Sequence, residues 1–526
     1  MIDEGYIFIA QDERGRFGSE GVFEHVRPYH SESDPTAVDD ITDTHDTIDW
    51  ALENVKGHNG CVGLNGNSYR GWHVMAGLIR PHPAVKAAAP SAACSEGFIG
   101  DDFFHNGAFA LAQSLLFFTQ HMDLYPFEAY GPNPLTNKYT DIDIYDFYLQ
   151  AGNIENLRHL FPTPSPITDA VLENDKFNEY WSSREVRRHL HRTPEVAVLH
   201  VNNWYDVEDQ YGTLAFYQEM KARDDKGCVK IASGPWAHGG WRFDEGDCYG
   251  PFHFGSPTAQ YFRDEVIGPF FRHHLKGGPD PQLPGALMFD GGRNAWRQYD
   301  VWPPAGTAVR KLYFHADGRL GFEAPSDGTA ARSYLSDPAH PVPYLPRPNR
   351  DGWRDDYRMI DQSFTADRDD VLVFSTAPLE EDIVLSGTAF AELYASSEGT
   401  DTDFVVKLID AYPENYEEEA FRGYQRLVLG DIFRAKFRES YAEPRPLVPG
   451  EAALCEIPLL EQNYTFKKGH RIVAHVQSSW FPLFDRNPNT FTHIPTAAPE
   501  SFQAVVNSIY MDRLRPSALR LELLES

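Results

Sequence analysis

The sequence predicts an α/β fold: a parallel sheet wrapped by helices, with a helical insertion inside it and an all-β domain behind it. Three observations carry that prediction. Strand-like and helix-like runs alternate over about the first hundred residues and resume near residue 196. Between 105 and 190 the strand signal fades and amphipathic helical runs replace it. After 285 the chain turns to short period-two runs separated by loops rich in Pro, Gly and Asp.

YIFIAQ at 6–11 is apolar and β-prone, and predicts a first strand ahead of the loop-forming DERGRFGSEG. THDTIDWALENV at 44–55 predicts a helix with Thr44 as N-cap, because Ile48, Ala51, Leu52 and Val55 fall on one face. CVGL at 61–64 predicts a second strand and YRGWHVMAGLI a second helix, giving the β-α-β-α order of a parallel sheet. GAFALAQSLLFFTQHM and YTDIDIYDFYLQAGNIENLRHLF read as helices of an insertion. VAVLHVNNWYD (196–206) and CVKIASGPW (228–236) restore the strands, and TAQYFRDEVIGPFFRHHLKG closes that domain as a helix. IVLSGTAFAELYASS, FVVKLIDAY, HRIVAHVQSSWF and ALRLELLE then alternate as strands of a sandwich or jelly roll.

A chain of 526 residues exceeds what one core usually holds, so more than one domain is expected. With 47 Lys and Arg against 77 Asp and Glu, the net charge of −30 argues against nucleic acid or an anionic membrane surface as partner. The same charge suits a cationic ligand. The five cysteines form no C-x-x-C pair, so no zinc or redox motif is expected, and an odd count leaves at least one thiol unpaired within the chain. AFALAQSLLFF at 108–118 is too short to span a bilayer and is broken by Gln113 and Ser114. The N-terminus has neither a basic n-region nor a signal-type apolar stretch.

The chemistry gathers at GNSYRG (66–71), between a strand and a helix. Such a turn lifts Ser68 above the C-terminal edge of a parallel sheet and aims the Tyr69 N–H at a developing oxyanion. The usual elbow is written G-x-S-x-G, and here Gly71 comes one position late. A serine nucleophile needs a histidine base, and the base needs a carboxylate to fix its tautomer. Asp206 closes the run VAVLHVNNWYD and His238 follows CVKIASGPW, in the order serine, acid, histidine, each just past a strand. WYDVED adds Glu208 and Asp209, and GDDFF adds Asp101 and Asp102. Carboxylates clustered at a pocket would bind a cation, an ammonium group being the simplest; calcium or magnesium in an all-oxygen site is the competing reading. ENYEEEAF (414–421) reads as a solvated loop, and the adjacent His273 and His274 cannot face one another on a helix.

GNSYRGW, PSAACSEGFIGDDFFHNGAF, NNWYDVEDQYG and SGPWAHGGW together resemble the α-amino acid ester hydrolases, within the wider cocaine-esterase and X-Pro dipeptidyl-peptidase superfamily. The likeness continues through VVKLIDAYP, GYQRLVLGDIFRAKFRESY and SSWFPLFDRNPNTF. It implies an α/β-hydrolase domain in two parts (1–104 and 191–284), a helical cap (105–190) and a C-terminal β jelly roll (285–526). It implies Ser68 as nucleophile, Asp206 as orienting acid, His238 as base and the Tyr69 N–H in the oxyanion hole. Asp102, Glu208 and Asp209 would hold a substrate α-ammonium, with Asp102 preferred over Asp101. No metal and no cofactor is implied. The implied substrate is a small α-amino acid ester or amide, with acyl transfer to amines that include β-lactam nuclei.

The family's elbow is G-x-S-Y-x-G, which makes the late Gly71 its normal form. Arg70 departs from it, standing where relatives often carry Glu. Because the chain opens at YIFIAQ, a second oxyanion donor (a tyrosine hydroxyl from an upstream loop) and the first strands of the sheet are expected to be missing. Losing one such donor typically costs about 10²–10³ in turnover. An X-Pro dipeptidyl-peptidase or an aryl esterase is the alternative with the same triad, and a truncated, non-catalytic binding module is a third reading. The compartment stays open: cytoplasmic, or periplasmic or secreted if an upstream segment carries a signal. A homo-oligomer is compatible with all of these.

Overall fold

The structure is a computed structural model, which describes residues 4–30, 33–34, 36–118, 142–160, 166–192, 195–326, 328 and 330–525. Its centre is a six-stranded sheet in sequential order: β1 (Val62–Asn67), β2 (Val85–Ser91), β3 (Ala197–Asn203), β4 (Val229–Gly234), β5 (Ala286–Asp290) and β6 (Ala295–Tyr299). β1 to β5 run parallel, and β6 returns antiparallel on β5. The sheet therefore continues to Tyr299, past the expected boundary at 285. β1 lies at the edge, with Gly63 and Asn65 exposed.

Both faces of the sheet are covered, which is why its strands read as continuous apolar runs. Ala88 and Val198 pack with Met75 and Leu78 of α2 (Tyr69–Ile79) and with Leu214 and Phe216 of α3 (Gln210–Lys221). Their neighbours Ala87, Ala89, Leu199 and Val201 point the other way, onto Phe262, Phe270 and Phe271. Those phenylalanines belong to the predicted closing helix, which runs through Thr258–Tyr261, a π turn at Phe262–Ile267 and Gly268–Lys276. Gly277, in left-handed conformation, ends it.

Two expectations fail locally. YIFIAQ forms no strand: Ile7, Phe8 and Ile9 stay exposed, and none of its residues pairs with a sheet. The segment is instead anchored to the end of the closing helix, where Glu4 meets Arg272 and Lys276, and Lys276 sits over the Tyr6 ring. The first helix, α1 (Asp40–Asn54), starts earlier than predicted. Asp39 is its N-cap, accepting from Ile41 and Thr42, and the Thr42 hydroxyl completes a capping box. Thr44 lies inside the helix and donates to the Asp40 carbonyl.

The insertion carries helices at Leu111–Phe117, Ile144–Ala151 and Pro166–Glu173, around an aromatic cluster of Phe98, Phe103, Phe104 and Trp181. The rest of the predicted helix after Phe118, and the start of the next, lie outside the described residues. The C-terminal domain is two antiparallel sheets. In the larger, Ile383–Ser397 pairs with Ala453–Phe466, Val505–Tyr510 and Ala518–Leu524; the smaller joins Leu372–Ser375, Arg471–Gln477, Asp403–Ala411 and Gln425–Arg434. Alternate residues of the smaller sheet serve two cores. Phe404, Val406 and Leu408 face the partner sheet, while Val405 and Ile409 pack with Ala108, Val207 and Trp480. The second set brings this domain against the loops that follow β2 and β3. Among the described residues no helix is long and apolar enough to cross a membrane.

Candidate active site

Ser68 sits where β1 turns into α2, with φ 63° and ψ −134°. That region is costly for a residue with a side chain, by about 1–3 kcal/mol, and the surroundings hold it. The Ser68 N–H bonds to the Ser91 carbonyl of β2 at 2.9 Å, and the Ser68 carbonyl accepts from Trp72 at 3.0 Å. The turn is tight enough to require both glycines. A Cβ at Gly66 would lie 2.3 Å from the Arg70 carbonyl oxygen, and one at Gly71 2.6 Å from the Ser91 carbonyl oxygen. This is the physical reason for the late glycine: position 71 is where α2 crosses β2. The first N–H groups of a helix have no intrahelical acceptor, so the Tyr69 N–H is free to donate beside Ser68.

Asp206 and His238 meet as the sequence predicts. His238 Nδ1 lies 3.1 and 3.0 Å from the two Asp206 carboxylate oxygens. Asp206 also accepts from the Asn203 amide at 3.0 Å and from the Glu208 and Asp209 N–H groups at 2.9 and 3.1 Å. Burial works against the Asp206 charge, but His238 and these donors hold its carboxyl down at about 2. Burial likewise opposes an imidazolium at His238, yet Asp206 and Glu208 outweigh it and lift the group to about 10. No hydrogen bond joins Ser68 Oγ to His238. The Asn67 amide donates to His238 Nε2 at 3.3 Å, and Glu208 Oε2 lies 3.8 Å from the same nitrogen.

The acidic residues separate into two kinds. Asp101 is a structural tie: its carboxylate accepts from the Ser95 N–H at 2.8 Å, the Ser95 hydroxyl at 3.2 Å, the Glu96 N–H at 3.3 Å and the Gly212 N–H at 2.8 Å. Asp209 has the opposite character. It is fully buried, and neither carboxylate oxygen has a hydrogen-bond partner. Carboxylate oxygens of Asp102 and Asp209 and the Cys94 sulfur lie within 4.8 Å of one another. A backbone bond from the Asp102 N–H to the Glu208 carbonyl, 3.0 Å, ties the two acidic loops together. Burial and mutual repulsion raise Asp209 well above the carboxylate range, and burial with the Glu208 charge raises Asp102 to about 7. The third converging group is a thiol rather than an oxygen, which does not suit calcium or magnesium. All five cysteines are free.

Groups that sequence reading did not single out complete the surroundings. Trp241 Nε1–H donates to Ser91 Oγ at 2.9 Å, and Ser91 Oγ–H donates to Asn67 Oδ1 at 3.0 Å, which fixes the orientation of the Asn67 amide. Asn67 lies inside the quoted motif; Ser91 and Trp241 carry no sequence signal because their contact is purely tertiary. Arg70 is exposed, close enough to Arg242 for the two charges to repel. Tyr69 directs its hydroxyl away from the elbow, to Glu13 at 2.6 Å, and accepts from the Val26 N–H at 3.1 Å.

A serine on a strained strand-to-helix turn, with an Asp–His pair past the next strand ends of a doubly covered parallel sheet, defines a serine hydrolase of the α/β-hydrolase class. Residues 1–240 match the X-Pro dipeptidyl-peptidase (S15) family, and residues 281–520 match the X-Pro dipeptidyl-peptidase C-terminal non-catalytic domain. The chain is 29% identical to the cocaine esterase of Rhodococcus sp. (strain MB1 Bresler), over 100% of its own length and 89% of that protein. An α-amino acid ester hydrolase structure aligns at 34% identity with a TM-score of 0.90, covering 99% of this chain and 86% of that one. An aminopeptidase from the marine sediment archaeon Thaumarchaeota archaeon aligns at 36% identity and a TM-score of 0.90, covering 97% and 84%. The chain belongs to the cocaine esterase and X-Pro dipeptidyl-peptidase superfamily of α/β-hydrolases.

Proposed function

We propose that this serine hydrolase acts on α-amino acid esters and amides through an acyl-enzyme, and that a carboxylate pocket binds the substrate's α-ammonium group. The observation that carries the reading is Asp209: a fully buried carboxylate without a hydrogen-bond partner, beside Asp102 and with its N–H on the Asp206 carboxylate. Burial keeps this unpartnered carboxyl protonated, and a cation beside it would offset the cost of ionising it. An ammonium group has the right sign, and its three N–H donors match the three acceptors Asp102, Glu208 and Asp209.

The chemistry assigned to the other groups is acyl transfer. His238 Nε2 takes the Ser68 hydroxyl proton as Ser68 Oγ bonds to the carbonyl carbon. Asp206 holds the Nδ1–H and balances the imidazolium. The oxyanion is received by the Tyr69 N–H. When the intermediate collapses, His238 returns the proton to the departing alcohol or amine. Water, or an amine such as a β-lactam nucleus, then accepts the acyl group by the same steps in reverse. A peptide with a free N-terminus presents the same α-ammonium next to its first carbonyl, so the pocket supports an exopeptidase reading too, favoured by the likeness to an aminopeptidase.

The test compares alanine methyl ester, methyl propionate and an X-Pro anilide. Ser68→Ala is expected to lose activity on all of them. Asp209→Asn is expected to remove the preference for the alanine ester over the propionate, by about 10²-fold given the ~3 kcal/mol typical of a buried charge pair, while propionate hydrolysis stays measurable. Full activity in Ser68→Ala, or an unchanged preference in Asp209→Asn, would refute the assignment. A faster X-Pro anilide than ester would move the substrate class to peptides.

A further inference from the structure

Glu208 stands in two places at once. Its loop is tied to Asp102, and its carboxylate belongs with the acidic pocket; yet its Oε2 is 3.8 Å from His238 Nε2, the nitrogen that must accept the Ser68 proton. That nitrogen also receives the Asn67 amide at 3.3 Å. The amide cannot simply turn away, because its oxygen is held by Ser91 Oγ–H at 3.0 Å and Ser91 in turn by Trp241 at 2.9 Å, and Asn67, Ser91 and Trp241 are all buried. Ser68 Oγ makes no hydrogen bond to His238. The working face of the imidazole is therefore turned to a carboxylate and an amide instead of the nucleophile.

Four acidic groups surround His238 from three elements, and a cation, Arg242, lies on its own loop with its Nε on the Gly239 carbonyl at 3.1 Å. Asp206 and Glu208 lie on the loop after β3, and Asp102 on the loop after β2; Asp355, from the segment entering the jelly roll, acts behind them on Asp206 and Glu208. These four acids favour an imidazolium, whose Nε2–H would point to Glu208; in the neutral ring Nε2 accepts from the Asn67 amide instead. A second cation among Asp102, Glu208 and Asp209 would compete with His238 for the same Glu208 charge.

We propose that the substrate's α-ammonium group switches on its own hydrolysis: by pairing with Glu208 it releases His238 Nε2 to Ser68, so that the charged end of the substrate sets kcat and not only KM. Glu208 is then a positioning residue acting through His238 as well as a contact for the ammonium. The inference rests on the ammonium-pocket reading given above. It gives the neighbouring carboxylates different duties: Asp209, buried beside Asp102, holds the cation, and Glu208, 3.8 Å from Nε2, reports its arrival to the base.

The test measures kcat/KM on methyl propionate from pH 6 to 10, where the acid limb reports the free enzyme's base. In Glu208→Gln that limb is expected to move to lower pH by about one unit or more, a tenfold change in the neutral base, and hydrolysis of the propionate at neutral pH to rise accordingly. Glu208→Asp, which keeps the charge and the fold but draws the carboxylate back, is expected to fall between. On alanine methyl ester the wild-type advantage over propionate is expected in kcat, and to shrink there in Glu208→Gln. If the acid limb of both variants coincides with the wild type, or the amino-ester advantage lies wholly in KM, the coupling is overturned while the ammonium pocket stands. If wild-type enzyme does not prefer the alanine ester at all, the pocket reading itself fails.

Discussion

Asp101 and Asp102 are neighbours in sequence and opposites in environment. Asp101 has its acceptors filled by four donors, and Asp102 faces Cys94, Asp209 and Glu208. Their titration has a consequence for stability. Burial raises Glu96 to about 8 and Asp101 and Asp102 to about 7, against ordinary values near 4. Between those limits the folded protein holds more protons than the unfolded chain. Stability is therefore full below about pH 4 for these groups and is lost as pH rises through 7 to 8. Asp206 has the opposite sign: its contribution is present above about pH 4 and lost as pH falls toward 2. The urea midpoint is expected to fall between pH 5 and pH 8, with a shallower slope in Asp102→Asn and a gain of about 1 kcal/mol or more at pH 8. A midpoint that rises over that interval would contradict the sign.

At the scale of elements, the elbow depends on how closely α2 approaches β2. The Ala87–Ala88–Ala89 run gives that strand small side chains, and Gly71 lets the helix backbone touch the Ser91 carbonyl. Gly71→Ala has no room for its Cβ, with Ser91 O at 2.6 Å and the Ala93 Cβ at 3.1 Å. The helix must move away, which is expected to cost about 1–3 kcal/mol in a closely packed core. Ser68 would move with it, so a kcat loss larger than the stability loss explains is expected, read from turnover at a temperature where circular dichroism shows the variant folded. Equal kcat in a destabilised variant would mean that the elbow tolerates the shift. The edge position of β1 matters here too, because the strand carrying Ser68 is braced by β2 on one side.

At the scale of the whole molecule, the jelly roll holds the loop that carries the acidic residues. Arg358, buried, donates to the Trp204 carbonyl at 3.1 Å and to Gln210 Oε1 at 2.9 Å, bracketing Asp206, Glu208 and Asp209. Arg426 bonds to the Tyr205 hydroxyl at 2.5 Å and to the Gly291 carbonyl at 3.1 Å. Arg434 joins Asp403 and Asp485 to the Gly107 carbonyl, and His105 meets Asp431. The family describes this domain as non-catalytic, yet two of its arginines reach the loop between β3 and α3. Arg358→Ala leaves two acceptors unpaired in a buried setting. It is expected to destabilise by about 1–3 kcal/mol and to lower kcat on the alanine ester without touching substrate. Unchanged kcat would show that the loop keeps its shape unaided.

The sequence by itself determined the order of most elements and which side chains to propose as reacting groups. Hydrophobic period marks buried faces, and nucleophile, acid and base follow in chain order past successive strand ends, a local signal that survives without coordinates. The run YIFIAQ shows the limit of that signal: apolar and β-prone residues make a strand only when they pair with a sheet, and these are anchored to the closing helix instead. The continuation of the sheet through β6 was hidden for the same reason, since a hairpin on the edge of a parallel sheet looks like the start of a sandwich. Tertiary structure alone decided which acids pair with donors and which are buried without a partner. It also brought Asn67, Ser91 and Trp241 into one hydrogen-bonded chain ending at His238 Nε2. Charge, burial and hydrogen-bond partners depend on what the rest of the chain brings alongside. The residue types could therefore be read from the sequence, and the protonation each one favours could not.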